Sequence, residues 1–179
     1  MADDSLTPIV IATRKKAGLQ ETFIRAHMER LPAQVRHLYG PAHPTHCDDG
    51  RWLLARRPLH RRVRRLVLRT VCRAPIRRFW DEALVRFLLE NRIAAVLAEY
   101  GITGVQYVEA CRRTGVPLIV HFHGYDAYKD WVLRDFGERY AAMFRQAAAV
   151  IAVSHDMEHQ LRSLGAPMHK VHYNPYGID

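Results

Sequence analysis

Pro117-Leu118-Ile119-Val120-His121-Phe122-His123-Gly124-Tyr125-Asp126 reads as a buried strand that empties into a polar turn. The apolar run from Pro117 to Val120 supplies the strand. Two histidines, a glycine and an aspartate follow, and a helical pattern begins at about Tyr128. In open α/β sheets ligands sit in the crevice outside the carboxyl ends of the strands, so titratable side chains placed there are better site candidates than the same residues elsewhere. Strand alternation sends His121 to the opposite face from Phe122, and to the same face as His123 only at the turn itself. His121 reads as packed or hydrogen-bonded within the fold, and His123, at the turn, carries the functional expectation.

The same alternation of strand and helix extends to both sides. Ile9 to Ala12 is a short buried strand, followed by a loop from Thr13 to Gly18 and a helical pattern with Leu19, Phe23, Ile24, Met28 and Leu31 on one side, ended by Pro32. Loop and helix start together form a potential anion site, although a single glycine there equally describes a plain connection. Gln34 to Tyr39 can form a second strand, and Asp81 to Asn91 a helix. Ile93 to Ala98 follows as a strand, leaving Glu99 at its carboxyl end, where it contacts a ligand or pairs with an arginine. The helix carrying Val105, Val108 and Cys111 comes next, with Gly115 as its natural C-cap. Beyond the central stretch, Val132, Phe136, Tyr140 and Met143 keep helical spacing. Ala148 to Val153 forms a strand, Ser154 caps a helix that runs to Gly165, and Val171 to Tyr173 is a last short strand. Apolar runs in place of alternating strands predict a parallel sheet covered on both faces. The expected fold is α/β: one doubly wound, Rossmann-like domain over residues 1–179 with a mostly parallel sheet, plus a basic amphipathic helical insertion.

That insertion holds the charge. The chain has 179 residues and a net charge of +9, yet the eleven arginines between Arg51 and Arg78, with no acid among them, leave −2 for everything else. Leu59, Val63, Leu66, Val67 and Val71 keep helical spacing, while Arg61, Arg62, Arg64, Arg65 and Arg69 take the remaining surface. Such a helix docks on anionic lipid, or turns its apolar stripe to its own core and leaves the arginines solvated. Nucleic acid is not expected as a partner, because the segment holds few aromatic side chains for stacking. The longest uninterrupted apolar run, Ala147 to Val153, is far shorter than the roughly 20 residues of a membrane-spanning helix. The acidic start Met1-Ala2-Asp3-Asp4 lacks the basic and apolar regions of a secretory signal, and three scattered cysteines suit a reducing compartment. A cytoplasmic protein, peripheral on the inner face of the membrane through the arginines, is the expectation.

Several motifs tempt and fail. His43, His46 and Cys47 lack a second cluster at zinc-ligand spacing, and His155-Asp156-Met157-Glu158-His159 has the His-x-x-Glu-His pattern but no evident third ligand, so no metal site is expected. Gly-x-Gly-x-x-Gly, Walker-type and Gly-x-Ser-x-Gly loops do not occur, which removes the usual support for dinucleotide, P-loop and α/β-hydrolase chemistry.

Taken together, Ala98-Glu99-Tyr100-Gly101, His121-Phe122-His123-Gly124-Tyr125-Asp126, Val153-Ser154 with Leu161, Gly165, Pro167 and Lys170, and the closing Asn174-Pro175-Tyr176-Gly177-Ile178-Asp179 resemble the N-terminal half of family 4 of the retaining glycosyltransferases. The resemblance runs from about Ile9 to Asp179. It implies the GT-B arrangement, two Rossmann-type domains facing across a cleft, of which the first binds the acceptor and the second the nucleotide-sugar. His123 then matches the active-site histidine near the transferred sugar, and Asp126 the acidic residue after it. Glu99, Gly124, Tyr125 and Gly18 fall at the acceptor side, although Gly18 matches only part of a usually glycine-richer loop. The family's second domain carries two glutamates separated by seven residues. That spacing occurs here as Glu21 to Glu29 and Glu82 to Glu90, both within amphipathic helical patterns and without the surrounding glycines, so the donor-binding half is expected to be missing. No cofactor is implied beyond the nucleotide-sugar as co-substrate. The expected partners are a glycan or lipid-linked acceptor, an anionic membrane surface and a donor-binding domain or partner chain. The alternative is a non-catalytic module that binds anionic lipid or carbohydrate.

Overall fold

The computed structural model describes residues 6–16, 22–50, 52–53 and 76–177. Gly18 and the arginines at positions 61, 62, 64, 65 and 69 lie outside the described residues, and with them the glycine end of the anion loop and the basic-helix expectation. Among the described residues seven strands form one sheet: β1 (Pro8–Thr13), β2 (Gln34–Tyr39), β3 (His46–Cys47), β4 (Ala95–Glu99), β5 (Leu118–His121), β6 (Ala149–Ala152) and β7 (Val171–Tyr173). Their order is β3-β2-β1-β4-β5-β6-β7, parallel throughout except for the β2–β3 edge pair. The described helices are α1 (Thr22–Arg30), α2 (Ile76–Glu90), α3 (Gly101–Thr114), α4 (Tyr125–Tyr128), α5 (Asp130–Gln146) and α6 (His155–Ser163), with a 3₁₀ turn at Met168–Lys170. None of these helices is long and apolar enough to cross a membrane.

Period-two alternation sorts the strand residues between the two faces. Val10, Ala12, Val96, Ala98, Val120, Val150 and Ala152 point into the main core, where Leu84 and Leu88 of α2, Tyr107 and Ala110 of α3, and Tyr140, Met143 and Phe144 of α5 are buried with them. Among the described residues the opposite face is covered more thinly. Ile11 is buried there, as is Ile24 of α1, while Ile9, Leu97, Ile119 and Ile151 are only half-buried among the described residues. Thin cover on this side leaves room for polar groups at its carboxyl edge.

Close approach fixes the helix that leads away from β4. A Cβ placed on Gly101 would lie 2.3 Å from the Phe122 ring, inside any tolerable contact, so only glycine lets α3 start against β5. Tyr100, just before it, takes φ 75°, an uncommon conformation for a residue with a side chain. Such strain is held where surrounding contacts over-determine it, and Tyr100 sits at the sheet's carboxyl edge.

Element boundaries moved where tertiary contacts overrode the local pattern. Expected to end at Ala98, β4 takes in Glu99, because its register with β5 continues to the pair Glu99↔His121. The helix expected from about Tyr128 is instead two. Lys129, extended at φ −73° and ψ 123°, closes α4 and opens α5. Gly115 ends α3 in the left-handed conformation, and the Ser154 hydroxyl accepts from the Met157 N–H to cap α6, both as expected.

Candidate functional site

Order reverses at β1: the chain builds outward from it to β2 and β3 on one side and, after returning, to β4 through β7 on the other. Ligands of doubly wound sheets lie at the carboxyl ends of the strands flanking such a reversal. Here those ends carry Thr13 and Arg14 from β1, Glu99 and Tyr100 from β4, and His121 to Asp126 from β5.

Glu99 is the centre of the group. It has no solvent exposure, and its two oxygens face three imidazoles: Oε1 lies 2.7 Å from His27 Nδ1, while Oε2 lies 2.7 Å from His123 Nε2 and 3.5 Å from His121 Nδ1. Burial alone would raise the Glu99 pKa, but the imidazoles of His121, His123 and His27 outweigh it and hold the carboxyl well below the usual range. An ionised carboxylate can only accept, so Nε2 of His123 and Nδ1 of His27 carry protons. Nδ1 of His123 then lies 2.5 Å from the Tyr176 hydroxyl. Burial, then the charges of Asp126 and Glu99, push that phenol above its ordinary value, so it keeps its proton and donates to Nδ1 of His123. The tautomer of His123 is thereby set from both sides.

Aromatic rings complete the enclosure. The His123 ring stacks on Phe23 of α1 at 4.4 Å, lies parallel to Tyr176 at 5.8 Å and meets Tyr100 at 4.6 Å, which leaves its side chain 2% exposed. Access to Nδ1 therefore requires Tyr176 to move. Gly124, at φ 106° and ψ −70°, turns the chain in a way that no residue with a Cβ adopts comfortably, and so delivers Asp126 beneath His123. Asp126 is fully buried. Its Oδ2 accepts from the Gly101 N–H at 2.7 Å and its Oδ1 from the His123 N–H at 3.0 Å. Burial pushes its carboxyl above the ordinary value, against those two N–H groups, which pull it down. Asp126 thus clasps the start of α3 to the turn after β5.

Beside this cluster is a hollow of about 440 Å³ lined by Thr13, Arg14, Lys15, Pro41, Tyr100 and Tyr125. Arg14 donates to the Tyr125 hydroxyl at 3.3 Å and to the Pro41 carbonyl at 3.2 Å, which hold its guanidinium at the mouth. Two phenol rings and two cations suit an oxygen-rich or anionic ligand.

His123, Asp126, Glu99, Gly124 and Tyr125 converge at this edge. Sequence reasoning missed His27 and the contact of Tyr176 with His123, whereas Arg14 belongs to the loop read as a potential anion site. The signal for His27 was its position four residues after Phe23, on the same face of α1. His43, His46 and Cys47 form no metal-ligating group among the described residues, and neither do His155 and His159, which lie exposed on α6. Glu82 and Glu90 are surface residues of α2 paired with Arg78 at 3.7 Å and Arg86 at 3.8 Å.

The buried cluster makes the fold acid-sensitive, with a definite sign. Burial lowers the His121 pKa from its ordinary 6.5, so the folded chain resists a proton that the unfolded chain accepts, and stability falls as pH drops below that value. Glu99, depressed in the fold, contributes stability that is complete above its ordinary 4.5 and is lost as pH falls further. Asp126, raised from 3.8, acts in the opposite direction and offsets part of the second loss. Urea unfolding followed by circular dichroism should show a midpoint that declines from about pH 6.5 downward, with the upper part of the decline reduced in His121→Asn and the remainder supplied by His37 and His43, which burial also lowers. A wild-type midpoint flat from pH 7 to about pH 5 would contradict the buried, neutral His121.

Residues 20–179 match the family model described as Glycosyltransferase Family 4. No curated protein matches significantly. Among solved structures the chain is similar to UDP-N-acetylglucosamine 2-epimerase from Rickettsia bellii, at 11% identity and a TM-score of 0.55, with 93% of this chain and 44% of that one covered. It is also similar to Anabaena HepE in complex with UDP and glucose, at 15% identity and a TM-score of 0.55, covering 97% and 45%. A third is the lipopolysaccharide outer core galactosyltransferase WaaB in its apo form, at 12% identity and a TM-score of 0.52, covering 97% and 47%. At these identities the likeness concerns the fold, and the chain spans less than half the length of each of these structures.

Proposed function

The chain belongs to glycosyltransferase family 4, and from that premise we propose that it is the acceptor-binding half of a retaining glycosyltransferase. Its donor would be a nucleotide-sugar, and its acceptor a membrane-associated glycan or lipid-linked sugar. The observation that carries this is the convergence of His123, its Glu99 and Tyr176 partners, and the hollow of Arg14, Lys15, Tyr100 and Tyr125 at one carboxyl edge of the sheet. The two tyrosine rings offer faces for a sugar, and the cations suit a phosphate or carboxylate on the acceptor.

In a retaining transfer the bond from the anomeric carbon to the nucleotide phosphate breaks on the same face where the acceptor oxygen attaches, and the hydroxyl proton leaves with the departing phosphate. A domain that holds the acceptor contributes by positioning it. His123 would release the Tyr176 hydroxyl and present Nδ1 to the donor sugar or to the attacking hydroxyl, with Glu99 fixing its tautomer. Asp126 would serve by holding the His123 turn. A facing domain or partner chain would hold the nucleotide. The arginines at positions 61, 62, 64, 65 and 69 would keep the enzyme at an anionic surface on the inner face of the membrane.

The test is a titration of the isotope-labelled chain, read by NMR, with oligosaccharide acceptors and separately with UDP-sugars. Glycans should shift the amides of Arg14, Tyr100, Tyr125 and the His123 turn, while UDP-sugars should neither shift them nor be turned over. Sugar transfer by this chain alone would overturn the half-site assignment. Sedimentation with anionic and neutral vesicles tests the arginine segment in parallel, and equal binding to both would remove its electrostatic role.

A further inference from the structure

One group at the sheet edge is left over by the transfer chemistry. His121 is 2% exposed, its Nδ1 lies 3.5 Å from Glu99 Oε2 without hydrogen-bond geometry, and its Nε2 has no partner among the described residues. A buried donor or acceptor without a partner is costly, and native interiors rarely keep one unless something else occupies it. The register pair Glu99↔His121 sets this imidazole beside the buried carboxylate, and α1 brings His27 to the same place. One ligand atom each from His27, Glu99 and His121 lies within 4.8 Å of the others.

We propose that His27, Glu99 and His121 form a binding site for a divalent transition-metal ion, zinc by preference. Two imidazole nitrogens and one carboxylate oxygen are a borderline donor set, suited to zinc and its neighbours, whereas calcium and magnesium take oxygen ligands. Tetrahedral zinc with bonds of about 2.0–2.1 Å separates its ligand atoms by about 3.3 Å. His27 and Glu99, now 2.7 Å apart, open slightly as the ion replaces the shared proton, and His121 draws in. Three protein ligands leave a fourth position, as in open zinc sites. His27 and His121 also line a second hollow of about 580 Å³, with Phe23, Arg30, Asn174 and Tyr176, which gives the ion an entry path and the fourth position room for water or an anionic oxygen.

Glu99 would serve two groups at once. Oε1 turns to the ion while Oε2 stays on His123 Nε2, so the carboxylate becomes the link through which occupancy steadies the His123 ring. The acid sensitivity described above belongs to the ion-free protein. This inference does not depend on the transfer reaction, since a metal can bind whether or not the chain serves a glycosyltransferase.

Calorimetric titration of the chelator-treated full chain with zinc, and with cobalt(II) as an optical probe, tests it. Zinc should bind in a stoichiometric ratio, and cobalt should give the intense visible bands of a tetrahedral site. His121→Ala and His27→Gln should each weaken zinc binding by about tenfold or more. His27 is partly exposed on α1, so His27→Gln keeps the fold, which circular dichroism checks. Absence of stoichiometric binding would overturn the proposal. So would binding unchanged in folded His27→Gln, or binding lost in His155→Ala and His159→Ala instead, which would place the ion on the surface of α6. Glycan titration by NMR is unaffected by these outcomes, so failure here is distinguishable from failure of the functional assignment.

Discussion

His123→Ala in an enzyme joining this chain to a donor-binding domain is expected to lower turnover by about two to four orders of magnitude, the range for a positioned proton-transfer or polarising group. The loss should fall on kcat, with KM for the acceptor little changed, because the ring lies beside the acceptor hollow and not among its lining residues. Removing the ring also strips Glu99 Oε2 of its donor and empties the space between Phe23 and Tyr176, so some stability is lost as well. His123→Gln separates the two effects. It retains an amide donor toward Glu99 but no imidazole, and should keep most of the stability while turnover stays low. Thermal melts and initial rates on both variants provide the check. Turnover unchanged in His123→Ala would remove His123 from the site.

The second large effect concerns the fold. Asp126→Ala leaves the N–H groups of Gly101 and His123 buried without acceptors, each at about 1–3 kcal/mol. For a chain of this size a loss of about 3 kcal/mol lowers Tm by about 6–12 °C. Activity should fall too, because the clasp sets the His123 turn against the start of α3. Asp126→Asn keeps one acceptor oxygen and turns an amide N–H₂ toward the other backbone donor, so an intermediate Tm is expected. Were Asp126 instead a direct acceptor contact, Asp126→Ala would leave Tm near wild type and raise the acceptor KM. Calorimetry with acceptor-dependent kinetics distinguishes the two roles.

Much of the architecture was legible before any coordinates. Runs such as Leu118 to Val120 and Ala149 to Ala152 are apolar on both alternating sets, which marks strands buried in a parallel sheet. Ser154 and Gly115 announced helix ends because capping is a local exchange between a side chain or a left-handed residue and the adjacent backbone. The turn after β5 was legible for the same reason: a glycine and an aspartate three residues from His123 can satisfy the backbone only there. His121 fared differently. Strand alternation gave it a packed or hydrogen-bonded role, and burial is what the structure shows, but its ring nitrogens are left without a hydrogen bond next to Glu99. Alternation gives the direction of a side chain and carries no information on what waits across the neighbouring strand.

Sequence by itself determined most of the strands and helices, the caps at Gly115 and Ser154 and the polar turn of His123, because each depends on residues within one or two turns of chain. Only the tertiary structure decided that Glu99 meets His27, His121 and His123, that Tyr176 closes over that ring, and that Asp126 reaches back to Gly101. These contacts span up to 72 residues. Parallel strands are joined by long crossovers, so the register that sets Glu99 opposite His121 belongs to the assembled sheet and to the packing of α1 across it, and no single stretch encodes it.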